Sequence, residues 1–177
     1  GQSGVFENGY REKFDKIILA MPIYEISKVL KINLKSSYNS NTTCYFSSPK
    51  KALGKSILLV PDEKLETNSI QCLSNISSYY STQNNYLYSL STLEKNSSEK
   101  KLEQEFQKIT GIKAKDISFI KKYNIKYALP QEKIKIKNKN LVYFCGDWSE
   151  EPSIDGALKS GRRLAEKIIS SDHHKNV

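Results

Sequence analysis

Hydrophobic and polar positions change period several times along the chain, and each change marks an element. Val5-Phe6-Glu7 and Tyr10-Arg11 flank Asn8-Gly9, a dipeptide that signals a hairpin because both residues tolerate a positive φ. Residues 14–20 are apolar enough for a buried strand, which ends at Met21-Pro22. Ile23, Ile26, Val29 and Leu30 recur at helical spacing and predict a short helix over 23–32. Four strand-like stretches follow, at 42–47, 56–61, 69–76 and 86–92, joined by polar turns such as Pro49-Lys50-Lys51 and Ser81-Thr82-Gln83-Asn84-Asn85. Short strands in series suggest an antiparallel sheet. Ser97-Ser98-Glu99 opens an amphipathic helix with Leu102, Phe106 and Ile109 on one face, and Gly111 stops it. Residues 117–120 read as a short helix or a strand entry, and 123–129 as a strand ended by Pro130. Finally 141–145 is an almost wholly apolar strand, followed by Gly146-Asp147, a short loop and a helix over about 154–169.

Composition narrows the class. A chain of 177 residues, 38% hydrophobic and 27% charged, has the make-up of one globular domain or two small lobes, not of a disordered or fibrous protein. The longest apolar run, 17–23, falls far short of the roughly 20 residues that span a bilayer. Gly1-Gln2-Ser3-Gly4 has neither the basic start nor the apolar stretch of a secretory signal. Membrane spanning and secretion are set aside, and a cytoplasmic location is expected.

The formal net charge of +9 is unevenly spread: +3 over 1–93, +7 over 94–140 and −1 over 141–177. Only three cations are Arg (Arg11, Arg162, Arg163), although Arg is the usual bidentate reader of phosphate and guanine. In Lys133-Ile134-Lys135-Ile136-Lys137-Asn138-Lys139 the lysines alternate with isoleucines, which predicts a strand with one solvated face. A solvated face is preferred to an anion-binding one, and nucleic acid is not the expected partner. Cys44, Cys72 and Cys145 are too far apart for a metal or redox motif and read as small buried hydrophobes in a reducing compartment. The two histidines, His173 and His174, fall in a polar tail expected to be disordered over 171–177, so no His-based triad or metal site is expected inside the fold.

The strand–Gly-Asp–loop–helix segment is where chemistry can reside. A buried strand ending in Gly146-Asp147 puts a carboxylate at the carboxyl edge of a sheet, where α/β folds bind ligands. The next helix begins Ser153-Ile154-Asp155-Gly156-Ala157. Its first turn offers unpaired N–H groups and the positive dipole end, suited to phosphate or a developing anion. Ala157, Gly161 and Ala165 recur every fourth residue, a smooth face for packing on a sheet. The same residues serve equally well as an N-cap, a dipole-complementing acid and a packing seam. The residues alone leave that choice open.

Val142-Tyr143-Phe144-Cys145-Gly146-Asp147, followed by Ser153-Ile154-Asp155-Gly156-Ala157-Leu158-Lys159-Ser160-Gly161 and Ala165 four residues on, resembles the C-terminal flavin motif of the FAD-dependent amine oxidase superfamily. That group includes monoamine oxidases, protoporphyrinogen oxidases, phytoene desaturases and renalase-like proteins. Phe14 through Ala20-Met21-Pro22 is similar to the strand by which such proteins return from their substrate domain. The resemblance implies that Asp147 bonds the ribityl–pyrophosphate part of FAD, with Gly146, Ser153, Ile154, Asp155, Gly156 and Ala157 also at the cofactor. Backbone N–H groups near Ile154 and Asp155 would face the side of the flavin that gains negative charge on reduction. It further implies a two-electron oxidation of a small-molecule substrate. None of the eight glycines forms the Gly-x-Gly-x-x-Gly unit that cradles the FAD pyrophosphate in the family. The chain is therefore expected to be the C-terminal part of such an enzyme, to need the missing N-terminal FAD-binding region as partner, and to be inactive alone.

The expected fold is α+β: a mixed or antiparallel sheet of about five strands with helices on one face, from a substrate domain at 23–140. Beside it a remnant of a Rossmann-like FAD domain is expected from 1–22 and 141–170, with exposed apolar surface that favours self-association. No catalytic residue is singled out, and no metal is implied. The alternative is a non-enzymatic basic module that binds nucleic acid or another anion through 94–140.

Overall fold

A computed structural model describes residues 2–81, 85–138 and 141–173. In chain order its elements are β1 (Gln2–Val5), β2 (Arg11–Phe14), β3 (Ile17–Ala20), α1 (Ile23–Leu30), β4 (Tyr38–Ser48), β5 (Leu58–Leu59), β6 (Thr67–Cys72), β7 (Tyr86–Thr92), α2 (Glu99–Thr110), β8 (Ser118–Pro130), β9 (Val142–Cys145) and α3 (Ile154–His173). They form an α+β protein of two compact units: residues 1–38 with 129–177, and residues 39–128. The seams fall at 38/39 and 128/129, where the sequence suggested 22/23 and 140/141. Among the described residues, no helix is long and apolar enough to cross a membrane.

In the first unit the Asn8-Gly9 signal gives a hairpin of β1 and β2 with Val5 opposite Arg11. The Phe6 N–H donates to Tyr10 O at 2.9 Å and the Gly9 N–H to Phe6 O at 2.8 Å. Gly9 takes the left-handed conformation, φ +79°, that a three-residue hairpin loop requires at its last position. The single buried strand expected over 14–20 is instead two strands broken at Asp15-Lys16, because β2 pairs with β1 and β3 pairs with β9. β3 and β9 are parallel, in register from Ile17–Val142 to Ala20–Cys145. β3 alternates: Ile17 and Leu19 are half-buried, while Ile18 is 51% exposed.

Helix α1 lays Ile23 and Ile26 against Trp148 in a fully buried cluster, with Leu19, Met21, Phe144, Ile134 and Ile136 packed around it. This cluster corrects the reading of the lysine run. Residues 133–138 form no strand; they are held by the Ile134 N–H donating to Trp148 O at 2.8 Å. Ile134 and Ile136 still turn to the core and the intervening lysines to solvent. Lys139 lies outside the described residues. Helix α3 runs on to His173, so 171–173 are helical where a tail was expected; residues 174–177, His174 among them, lie outside the described residues.

The second unit is a five-stranded sheet in the order β5-β6-β7-β4-β8, with the β5–β6, β6–β7 and β7–β4 pairs antiparallel. Even-numbered side chains of β4 and β7 from Thr42 to Ser48 and from Tyr88 to Thr92 are buried, and the odd-numbered ones are not, as the two-residue repeat of a strand dictates. On the buried face α2 delivers Leu102 and Phe106 onto Cys44, Phe46, Ile70, Cys72, Tyr88 and Leu90. The Phe46 and Phe106 rings lie 4.8 Å apart. Ser98 caps α2 by accepting the Lys101 N–H, and Gly111 ends it at φ +72°. Buried Glu105 faces the sheet from α2 and accepts from Glu66 N, Thr67 N and Thr67 Oγ1 at 3.0, 2.8 and 2.6 Å. The two stretches expected at 117–120 and 123–129 are one long edge strand, β8. The cysteines are free and buried.

Candidate functional site

The parallel pair β3–β9 ends at Ala20 and Cys145, and both chains then turn. Gly146 continues β9 in extended conformation, and Asp147 opens a short helical turn over Asp147–Ser149. Trp148, 1% exposed, folds back under this turn and donates its indole N–H to Met21 O at 3.0 Å. A Cβ on Gly146 would lie 2.2 Å from Trp148 Nε1, so the turn has room only for glycine. Asp147 accepts the Trp148 N–H at 2.9 Å, which fixes its carboxylate at the carboxyl edge of the pair.

Three hydroxyls lock the following loop. Ser160, buried on α3, accepts the Gly146 N–H at 3.0 Å and lies 2.6 Å from Ser149 Oγ, which itself donates to Gly146 O at 2.8 Å. Ser153 accepts the Gly156 N–H at 2.9 Å, and its carbonyl accepts the Ala157 N–H at 3.0 Å. It is thus the N-cap of α3, and the Ile154 and Asp155 N–H groups stand before the helical ladder begins. Gly156 is pressed against the loop: a Cβ there would come within 1.9 Å of Glu151 O. Glu150 ties the loop to α3 through Arg163 at 2.5 Å and Lys159 at 3.9 Å. The Arg163 guanidinium beside it holds the Glu150 carboxyl below the usual range.

The buried face of α3 is Gly156, Ser160 and Leu164. Ala157, Gly161 and Ala165, expected to pack on the sheet, lie one residue round the helix and are exposed or half-buried. The Glu151 carbonyl resting on Gly156 sets this rotation. Ala157, Leu158 and Gly161 instead wall an open hollow of about 380 Å³ with Ala20, Pro22, Gly146 and Asp147. A Cβ on Gly161 would meet nothing within 4 Å. Leu158 in the wall of the hollow is 68% exposed, and Ile154 at the start of α3 and Ile18 on β3 are 85% and 51% exposed.

Of the residues singled out in the sequence, Gly146, Asp147 and Ala157 line the hollow. Ser153 and Gly156 shape the helix start, and Ile154 and Asp155 form the first turn of α3, their side chains exposed. Sequence reasoning passed over Ser149 and gave Ser160 no role beyond its place in the segment that resembles the flavin motif. Cys145 also lines the hollow, and burial pushes its thiol up, away from a reactive thiolate. Chemically, the hollow offers a carboxylate for hydroxyl donors, close backbone approach along Ala157 and Gly161, and a helix N-terminus for negative charge.

No family model and no curated protein matches the sequence. Solved structures do match in shape. A protein from Pyrococcus furiosus is 15% identical with a TM-score of 0.65, over 91% of this chain and 42% of its own. An oxidoreductase from Methanosarcina mazei is 9% identical with a TM-score of 0.67, over 90% and 44%. A UDP-galactopyranose mutase in reduced form is 13% identical with a TM-score of 0.56, over 71% and 32%. The chain thus spans less than half the length of each, and at such identities the likeness is one of fold.

Proposed function

We propose that the chain is part of an FAD-dependent oxidoreductase of amine oxidase type, to which it contributes one edge of the cofactor site and a substrate-domain sheet. The observation that carries this reading is the hollow at the carboxyl ends of β3 and β9, where Asp147, Ala157 and Gly161 converge beside the start of α3. These are the positions at which the sequence resembles the flavin motif of that superfamily. A fold neighbour described as an oxidoreductase supports the same class.

The residues fit the group. Asp147 would hold hydroxyls of the ribityl–pyrophosphate portion, and Gly161, whose missing side chain leaves open space, would allow close approach along α3. The Ile154 and Asp155 N–H groups would stabilise negative charge on the ring system. When bound, FAD supplies a two-electron acceptor for a hydride from substrate. The chain's own part is to orient the cofactor and to face it with the dipole of α3. The exposed apolar side chains of Ile18, Ile154 and Leu158 support a further FAD-binding element that covers them and brings the Gly-rich pyrophosphate cradle.

FAD binding tests this. Alone, the chain should bind FAD weakly or not at all; joined to a Gly-rich FAD-binding unit, it should bind. In that complex Asp147→Ala and Gly161→Leu should each weaken FAD at least about tenfold, roughly 1.4 kcal/mol. No binding in the joined form, or binding indifferent to both substitutions, overturns the assignment.

A further inference from the structure

The second unit has its own hollow, of about 710 Å³, on the sheet face away from α2, within the roughly 300–1,000 Å³ usual for small-molecule sites. It exists because of side-chain size. Thr43 and Ser47 of β4 line it with small hydroxyl side chains, which leave the floor low between taller neighbours. Tall apolar walls stand around it: Tyr45 and Leu87 on the sheet, Tyr80 at one end, and Ile120, Tyr123 and Ile125 along β8. Tyr45 and Tyr123 meet edge to face, 5.9 Å between centroids and 88° between planes, a geometry that offers a flat ligand both a ring face and a ring edge.

Its charge is one-sided. Lys121 is the only charged residue among the described residues that line the hollow. Its ammonium sits 5.3 Å from the centre of the Tyr123 ring. No carboxylate lies within ion-pair distance of it among the described residues. A cationic amine would find no counter-charge here and would meet the lysine. An anionic group would gain a charge partner without displacing a carboxylate.

We infer that this hollow binds a flat, apolar molecule carrying a single anionic group, its ring system between Tyr45, Tyr80 and Tyr123 and its anion at Lys121. The inference rests on the sheet face alone; that the ligand is the enzyme's substrate would rest on the flavin reading, and the binding does not.

The test uses three probes that share one ring system and differ in charge, 2-naphthoate, 2-naphthylmethanol and 2-naphthylmethylammonium, titrated into the full chain while amide chemical shifts are followed. The shifts should map to Tyr45, Leu87 and Tyr123, with naphthoate at least about fivefold tighter than the alcohol and the ammonium weakest. Lys121→Gln should bring naphthoate to the level of the alcohol without altering the rest of the spectrum. Tyr123→Ser should weaken naphthoate and alcohol together. The inference is overturned if no probe shifts these residues, if the ammonium binds as tightly as the carboxylate, or if Lys121→Gln leaves their ratio unchanged. Because no cofactor takes part, failure to bind FAD would not bear on it, and failure here would leave the FAD site untouched.

Discussion

Replacing Gly156 and Gly161 in turn by alanine adds the same methyl group at two points five residues apart on α3, and the surroundings demand opposite outcomes. At Gly161 the new Cβ meets nothing within 4 Å, and no left-handed φ stands in its way. The substitution should give the helix its ordinary propensity gain, about 0.5–1 kcal/mol, or a Tm higher by about 1–4 °C for a chain of this size. At Gly156 the Cβ would fall 1.9 Å from Glu151 O, 2.8 Å from its carbonyl carbon and 2.9 Å from its nitrogen. These are backbone atoms, so no rotamer change can relieve the overlap, and the turn must retreat by about 1 Å or more. Overpacking of this kind costs roughly 1–3 kcal/mol. Disturbing the Ser153 cap, whose oxygen accepts the Gly156 N–H, adds about 1 kcal/mol, against a propensity gain of similar size. The net expectation is a loss of roughly 1–3 kcal/mol. Trp148 is the only tryptophan and is buried in the same unit, so its fluorescence during urea unfolding reports this unit. If both variants move stability in the same direction, the packing assigned to α3 is wrong.

Three further expectations can be measured on the same material. Glu105→Ala strips the acceptor from three donors, two of them backbone N–H groups of Glu66 and Thr67; unfolding free energy should fall by about 3 kcal/mol, and a loss below about 1 would mean that the carboxylate is not the clamp between α2 and β6. The Lys101 ammonium holds the Glu66 carboxyl below the usual range, so this pair stabilises the fold above the ordinary glutamate value, about 4.3, and ceases to as pH falls through the lowered folded value. Lys101→Met should therefore flatten the acid limb of a Tm-versus-pH curve slightly, the pair being partly exposed, and an unchanged limb would refute the pairing. Burial pushes the Cys44 thiol up to about 11 and encloses Cys72 and Cys145 as well; a disulfide reagent should titrate none of the three in the native chain and all three in urea, and fast native labelling of any one would contradict its burial.

Much of the fold is legible in the sequence because local chemistry decides it. Asn8-Gly9, Ser98 and Gly111 each set a turn or helix end that the structure places where the residues require it. The two-residue alternation of β4 and β7 survives intact because one face of the sheet is buried under α2. Where the sequence misleads, the deciding partner is remote. Lys133 to Lys137 alternates like a strand, yet its backbone is held by Trp148 O, so the alternation reports a side-chain environment and not a sheet.

Helix α3 makes the sharper case. Two rows of residues spaced by four run side by side along it: Gly156, Ser160 and Leu164, and Ala157, Gly161 and Ala165. Periodicity weighs them almost equally, since both are rich in small residues, and it favours the row without a serine. The choice is made by the loop, through the Glu151 carbonyl on Gly156 and the Gly146 N–H on Ser160. Those contacts bury a hydroxyl that has its partners and release Ala157 and Gly161 of the other row to the hollow. A row of small residues is compatible with packing and with admitting a ligand, and only the rotation of the helix separates the two. The opposed effects expected of alanine at Gly156 and Gly161 therefore test the site as directly as they test the fold.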